Sequence, residues 1–275
     1  CQLQHITYEG QLSLKTQKVK DVIERIGHQN PDLVKPTLGP KEPWAYRNKM
    51  QMPVGGTKGD IQMGFYAMGS HDIVQGTNCP IQDEGNNIIA QACYQIAKAF
   101  DIEPYDEHTG KGILRHVIGR IGQSGWMIIL VTATEQLPHK EKWVEKLTER
   151  IPQVETIVHN VNGKRTNVIL GPKNNILYGD GTITDHIKDL RFTLSPHSFF
   201  QVNPEQTTVL YDQALTYADL KGDETVIDAY CGTGTISLFL AHKAKHVIGI
   251  EIVEPAIINA RENALRNGYD NTEFI

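Results

Sequence analysis

Apolar residues recur at helical spacing over 12–26, where Leu12, Val19, Val22, Ile23 and Ile26 fall on one stripe and Gly27 is a stop signal. Pro31, Pro36, Pro40 and Pro43 then break the chain into a linker. From Trp44 the period changes to two. Trp44, Tyr46, Met50, Met52 and Val54 alternate with Ala45, Arg47, Lys49 and Gln51, which predicts a half-buried strand. Gly55 to Gly59 reads as a turn, with Ile61 to Ala67 returning as the hairpin partner. A helix is expected over 86–100, with Ile88, Ile89, Ala92, Cys93, Ile96, Ala97 and Phe100 on one face. Strands are expected near 113–121, 126–134 and 154–161, with a helix at 139–150. Hairpin strands plus a few helices predict an α+β domain.

After about residue 190 the pattern becomes strand–loop–helix, repeated. Pro204 to Leu220 is a helix that Asn203 can cap, with Pro204 in its first turn and Gln206 in the capping-box position. Thr225 to Tyr230 is a short buried strand, followed by a glycine loop and a helix from Thr235 to about Lys243. His246 to Glu251 is a second strand, and Pro255 to Asn267 a second helix stopped by Gly268. This βαβα order predicts a parallel sheet. The expected division is 1–190, an α+β domain, and 191–275, the first part of an α/β domain; the helix at 12–26 is free to pack on the latter.

Composition narrows the class. The chain has 275 residues, of which 40% are hydrophobic and 21% charged, so it can bury a sizeable core and does not read as disordered. No apolar stretch approaches the ~20 residues needed to span a bilayer, so no membrane partner is expected. Four cysteines do not make a disulfide scaffold, and a cytoplasmic location is expected. The net charge is −5, which speaks against a generic nucleic-acid binder. A local patch can still be basic: Lys35, Lys41, Arg47, Lys49 and Lys58 outweigh Glu42 and Asp60 over 35–60. Arg115, His116 and Arg120 form a second candidate strand for phosphate contacts. Any one of these residues taken alone reads more readily as part of a solvated face.

The sharpest local signal is Asp228-Ala229-Tyr230-Cys231-Gly232-Thr233-Gly234, followed by Glu251 at the end of the next strand. Glycines allow a tight turn and close approach of a ligand, and an acid at that strand end can accept hydrogen bonds from ribose hydroxyls. The dinucleotide fingerprint wants a glycine or alanine at 237, where this chain has Ser237. A carboxylate at Asp228 would repel a pyrophosphate and favour a ligand bearing an ammonium and a sulfonium. S-adenosylmethionine therefore fits better than NAD. A βαβ turn without a ligand stays open on spacing alone.

Ser198-Phe199-Phe200-Gln201-Val202-Asn203-Pro204 together with the glycine loop resembles the RNA uracil-5-methyltransferase family. Cys1-Gln2-Leu3-Gln4-His5 is similar to the end of that family's iron–sulfur cysteine motif, and Thr77-Asn78-Cys79-Pro80 to the segment with its fourth cluster cysteine. The likeness is strongest to the members that act on 23S ribosomal RNA. It implies a Rossmann-like S-adenosylmethionine-dependent methyltransferase domain, partial here, joined to an α+β RNA-binding domain. It also implies Gln201, Tyr230 and Glu251 as cofactor residues, alongside Asp228 and Gly232 of the loop. Cys1 and Cys79 are implied as two of four ligands to a 4Fe–4S cluster, and ribosomal RNA as the partner of a monomer. Taken without the resemblance, Gln201 reads as a polar residue before a helix cap, Tyr230 as core, and Cys1 and Cys79 as small buried hydrophobes. The RNA-binding candidates are Arg47, Lys49, Lys58 and Arg115.

The resemblance implies methylation of uridine at carbon 5 through a covalent cysteine adduct. It places the nucleophilic cysteine and the base beyond residue 275, and the chain is expected to be a fragment. Cys231 matches the family's loop cysteine, with no activating base near it in sequence. A transfer-RNA substrate, an NAD-dependent oxidoreductase and a non-catalytic RNA-binding module are the alternatives.

Overall fold

A computed structural model of the chain describes residues 2–275. These fall into two compact units, 1–44 and 45–275. In the first, helix α1 (Tyr8–Arg25) is capped by Thr7, whose Oγ1 accepts from the Gly10 N–H. The proline-rich stretch is tied back to α1 by hydrogen bonds of Thr37 to the Thr16 hydroxyl. No residue of α1 is buried; on its apolar stripe Leu12 and Ile23 are half-buried and Val22 is 47% exposed.

The second unit is built on a seven-stranded sheet. Its strands are β1 (Lys49–Thr57), β2 (Asp60–Tyr66), β3 (Ile73–Gln75), β4 (Leu114–Ile121), β5 (Trp126–Thr132), β6 (Val154–Val161) and β7 (Lys173–Tyr178). Their order is β3-β2-β1-β4-β5-β6-β7, antiparallel except for the β5–β6 pair. A parallel pair needs a crossover, and helix α3 (Lys140–Arg150) supplies it. Helix α2 (Glu84–Ala99) lies on the same face; its Ile89, Cys93 and Ile96 meet Met50, Met52, Met63 and Val117 in one core.

The expected strand from Trp44 begins only at Lys49. Ala45 has φ +52°, and residues 45–47 hydrogen-bond instead to the Pro80–Ile81 segment. Burial alternates from Lys49 to Met52 and stops at Pro53, buried like its neighbours Met52 and Val54, and the adjoining β4 and β5 are buried on both faces. The reason is a second layer. Strands β8 (Ile183–Ile187) and β9 (Leu190–Leu194), which hydrophobic periodicity did not reveal, form a hairpin over the opposite face. Its Ile183, Ile187, Phe192 and Leu194 pack on Ile118, Met127, Ile129 and Val158.

The same core continues into the last part of the chain. There α4 (Pro204–Ala218), β10 (Thr225–Asp228), α5 (Thr235–Ala241), β11 (His246–Gly249), α6 (Glu254–Arg266) and β12 (Thr272–Phe274) form a parallel sheet of order β10-β11-β12 with helices against it. Asn203 caps α4 by accepting from the Gln206 N–H, as expected. Residue 190 falls at the start of β9, within the hairpin that both parts share.

Gly119 lets α2 approach β4. A Cβ there would stand 2.4 Å from Asn86 Oδ1 and 3.2 Å from Ile89. Asn86 is fully buried and donates from Nδ2 to the Arg47 carbonyl, so it has no room to move aside. Gly119→Ala is expected to destabilise the protein by about 1–3 kcal/mol through overpacking, read as a lower urea midpoint at unchanged m-value.

Candidate functional site

The glycine loop sits where parallel strands end. Asp228 closes β10, and its carboxylate accepts from Ser237 Oγ at 2.5 Å. That contact explains the departure at 237: the hydroxyl of a fully buried serine serves the loop's own acid. Gly232 has φ +54° and Gly234 φ +79°, conformations that glycine adopts without strain. A Cβ on Gly234 would also crowd Phe274 and Ala260, whereas the space over Gly232 is open.

Glu251 follows β11 and folds its carboxylate toward the loop. Oε2 accepts from the Gly232 N–H at 3.2 Å and Oε1 from the Val253 N–H at 3.0 Å. Asp228, Gly232 and Glu251 are thus brought together. Tyr230 and Ile252 lie beside them, 92% and 97% exposed, so Tyr230 is not a core residue. An acceptor for the ribose diol, apolar side chains such as the Tyr230 ring and Ile252 for an adenine, and a carboxylate for an ammonium or sulfonium are what adenosylmethionine requires. The residues present fit it.

Gln201 belongs to this site through its neighbours. Its side chain shares a hydrogen bond with Tyr211, whose hydroxyl pairs with Thr235 Oγ1 at 2.9 Å, at the start of α5. The preceding segment is held by the central sheet. Buried Arg120 donates to the Pro196 and Ser198 carbonyls at 3.1 and 2.6 Å. Asn48 donates its N–H to the Val202 carbonyl, and its Nδ2 reaches the Gln201 carbonyl and Asp185 Oδ2, both at 3.4 Å. Asn263 anchors the other side, donating to the Thr233 carbonyl and accepting from the Thr193 N–H. Sequence reading missed Asn48, Asp185, Tyr211 and Asn263, because each acts on residues far away in the chain.

The cysteines divide. Cys231 is buried, and burial, then Asp228 and Glu251, push its thiol up to about 11, so it stays protonated near neutrality. Cys93 is fully buried on α2. Cys79 is half-buried; its N–H donates to Asn87 Oδ1. Cys1 lies outside the described residues. Among the described residues no group of three or more His, Cys, Asp or Glu side chains could hold a metal ion.

The basic candidates also divide. Arg115 is a correction: it is 4% exposed and its guanidinium donates to the Asn162 and Lys164 carbonyls, so it does not present a charge to solvent. A β-bulge between Leu114 and His116 turns it inward. Arg120 is likewise spent internally. Lys58, in the β1–β2 turn, is exposed and pairs with Asp101 at 3.6 Å. Lys49 is half-buried; burial, then Arg120 and Arg47, lower its pKa to about 8. Arg47 is half-buried beside it.

A parallel sheet with a glycine loop after its first strand and an acid after its second defines a Rossmann-like methyltransferase fold. A family model described as a methyltransferase domain matches residues 220–275. Proteins described as uncharacterized RNA methyltransferases are similar over the whole chain: one from Halalkalibacterium halodurans and one from Bacillus cereus at 51% identity, and one from Clostridium tetani at 50%. Each match covers 100% of this chain and 60% of the relative, so the chain spans about 60% of the length of those relatives. The crystal structure of Pyrococcus abyssi tRNA (uracil-54, C5)-methyltransferase with S-adenosyl-L-homocysteine superposes with a TM-score of 0.81 at 24% identity, covering 99% of this chain and 64% of that one. No helix among the described residues is long and apolar enough to cross a membrane.

Two outcomes are expected from this geometry. Glu251→Ala weakens S-adenosylmethionine binding by about 1.5–3 kcal/mol, the cost of a charged hydrogen-bond partner, as measured by calorimetry. Asp185, 7% exposed, has its carboxyl pushed up to about 6 by burial, against the hydrogen bonds from His186 and Asn48. A raised carboxyl pKa means the folded state holds the proton more tightly, so this contribution is complete below about pH 4 and lost as pH rises through about 6. Asp185→Asn is expected to flatten the stability-against-pH curve between about pH 4 and 6 and to raise stability above it by on the order of 2 kcal/mol. An unchanged curve by urea titration would contradict this.

Proposed function

We propose that this chain is part of an S-adenosylmethionine-dependent RNA methyltransferase that acts on carbon 5 of uridine, with 23S ribosomal RNA as substrate. The observation that carries the reading is the meeting of Asp228, Gly232 and Glu251 at one loop, with Gln201 linked through Tyr211 to the helix that follows it and Tyr230 exposed beside it. The whole-chain similarity to proteins described as RNA methyltransferases supports an RNA substrate, and the uracil-methyltransferase fold neighbour supports the base and position. The cofactor residues are Gln201, Asp228, Tyr230, Gly232 and Glu251. Bound adenosylmethionine supplies the methyl group as an electrophile.

Uracil is a poor nucleophile at carbon 5. The resemblance supplies the remedy: a cysteine thiolate adds to carbon 6, carbon 5 takes the methyl group, a base removes the carbon 5 proton, and the thiolate leaves. No cysteine of this chain is assigned that role, and Cys231, held protonated, does not suit it. The target base must leave its stack to react. Lys49 and Arg47, half-buried beside Arg120, are the assigned phosphate contacts, with Lys58 further along the hairpin. An approaching phosphate would relieve the mutual repulsion of these cations. Cys1 and Cys79 are retained from the resemblance as two of four thiolates for a 4Fe–4S cluster.

The test is methyl transfer from radiolabelled S-adenosylmethionine by the full-length protein to unmodified 23S ribosomal RNA and to transfer-RNA transcripts, with nucleoside mass spectrometry. We expect 5-methyluridine in ribosomal RNA, and iron with sulfide in the same preparation. Product in transfer RNA alone would replace the substrate, and a methyl group elsewhere than carbon 5 would overturn the reaction.

A further inference from the structure

A second cavity lies on the central sheet. It has a volume of about 340 Å³ and lies between the β1–β2 hairpin, the turn after β2, the 105–108 loop and the start of β4. Its walls include Tyr66, His71, Tyr105, Glu107, Arg115 and His116. β4 links it to the cofactor segment: His116 stands near one end of the strand and Arg120, the clamp on Ser198, near the other. Alternation puts both on one face of the sheet, roughly 13 Å apart at 3.3 Å per residue.

The walls are built and fixed. Tyr66 and His71 stack with ring centroids 4.7 Å apart and planes at 15°. Glu107 locks them from the edge: it accepts from Tyr66 Oη at 3.1 Å and lies 2.5 Å from His71 Nδ1. Opposite them, the Arg115 guanidinium sits over the Tyr105 ring at 4.4 Å. Since two carbonyls hold Arg115, that stack is rigid too. His116 is 6% exposed and its Nδ1 has no hydrogen-bond partner. Burial pushes the ring well down, so it is neutral near pH 7. A buried polar atom without a partner calls for an explanation, and a ligand in the cavity is one.

The chemistry of the rim selects the ligand. Asp72, Asp106 and Glu107 line the cavity. Three carboxylates repel a phosphate, and no metal-binding group of side chains occurs among the described residues. What remains favourable is a flat, neutral ring that stacks on aromatic side chains and donates N–H groups to carboxylate oxygens. Aromatic stacking of an unpaired base is sequence-tolerant by itself; acceptors such as Glu107 favour bases with an exocyclic amino group, as carboxylates do for cytosine N4. Uracil, with no amino group, is disfavoured.

We propose that this cavity is a docking pocket for an unstacked, amino-bearing base of the substrate RNA, adenine, cytosine or guanine, set apart from the methylated uridine. Tyr66 with His71 is the stacking platform and Glu107 the acceptor. The proposal rests on the RNA reading above and adds a specificity determinant to it.

The test measures binding of end-labelled oligoadenosine, oligocytidine and oligouridine to the full-length protein by fluorescence anisotropy, with S-adenosylhomocysteine saturating the cofactor site. Oligoadenosine and oligocytidine are expected to bind more tightly than oligouridine. Glu107→Gln, which keeps the shape, is expected to erase about tenfold of that preference while leaving oligouridine affinity unchanged. Tyr66→Ala is expected to weaken oligoadenosine most. Unchanged S-adenosylhomocysteine affinity in both variants shows that they fold. Equal affinity of the wild type for all three oligomers, or a preference that survives both substitutions, overturns the pocket. Free adenosine binding as tightly as the oligomer would assign the cavity to a small nucleoside and overturn it as well. Base preference without methyl transfer would remove the proposed reaction and leave the pocket standing; methyl transfer without base preference would do the reverse.

Discussion

Among the described residues the buried guanidinium of Arg120 has no acidic partner, and the candidate site is organised around that fact. A buried cation needs its hydrogen bonds, and Arg120 finds them in the Pro196 and Ser198 carbonyls. The pairing fixes the segment before Gln201 against β4. Asn48 completes it from β1, through the Val202 and Gln201 carbonyls. Gln201 then meets Tyr211, and Tyr211 meets Thr235 at the head of the helix after the glycine loop. The central sheet thereby positions Gln201 without any of its own side chains entering the loop.

The loop is organised from the other direction by acids. Glu251 gathers two backbone N–H groups and Asp228 takes the hydroxyl of Ser237. Preorganised acceptors of this kind need little rearrangement when a ligand arrives. Burial, with help from the same two carboxylates, raises the Cys231 thiol, a cost to nucleophilicity that a cofactor loop can bear. Thr233 and Asn263 connect the loop to β9, so the hairpin lies between the two anchoring systems.

That hairpin also accounts for the burial of the central sheet. α2 and α3 cover one face, and β8 and β9 cover the other, with the core running on into the parallel sheet. A strand covered on both faces has no polar side to display. The basic residues of β4 accordingly turn to internal carbonyls, and only the β1–β2 end of that face stays open, with Tyr66 at its rim.

Local pattern carried much of the fold. Helical spacing located α2, capping residues α4 and a glycine stop α6, each to within about two residues, the alternation of Met50, Met52 and Val54 gave the inner face of β1, and the βαβα order gave the parallel sheet. Asp228, Gly232 and Glu251 were legible because neighbouring strand ends of a βαβ unit meet by construction. Tertiary structure decided the rest. β8 and β9 are short, and their burial comes from residues of three other strands, Ile118, Met127, Ile129 and Val158. Whether an arginine faces water or a carbonyl depends on what covers its strand: Lys58 pairs at the surface with Asp101, while Arg115 and Arg120 were drawn inside. Asn48, Asp185, Tyr211 and Asn263 act through contacts made only when distant segments pack, and the distal cavity exists only because a loop, two strands and a turn converge. Periodicity reports which side of an element is apolar; it holds no information about which element will lie against the other side.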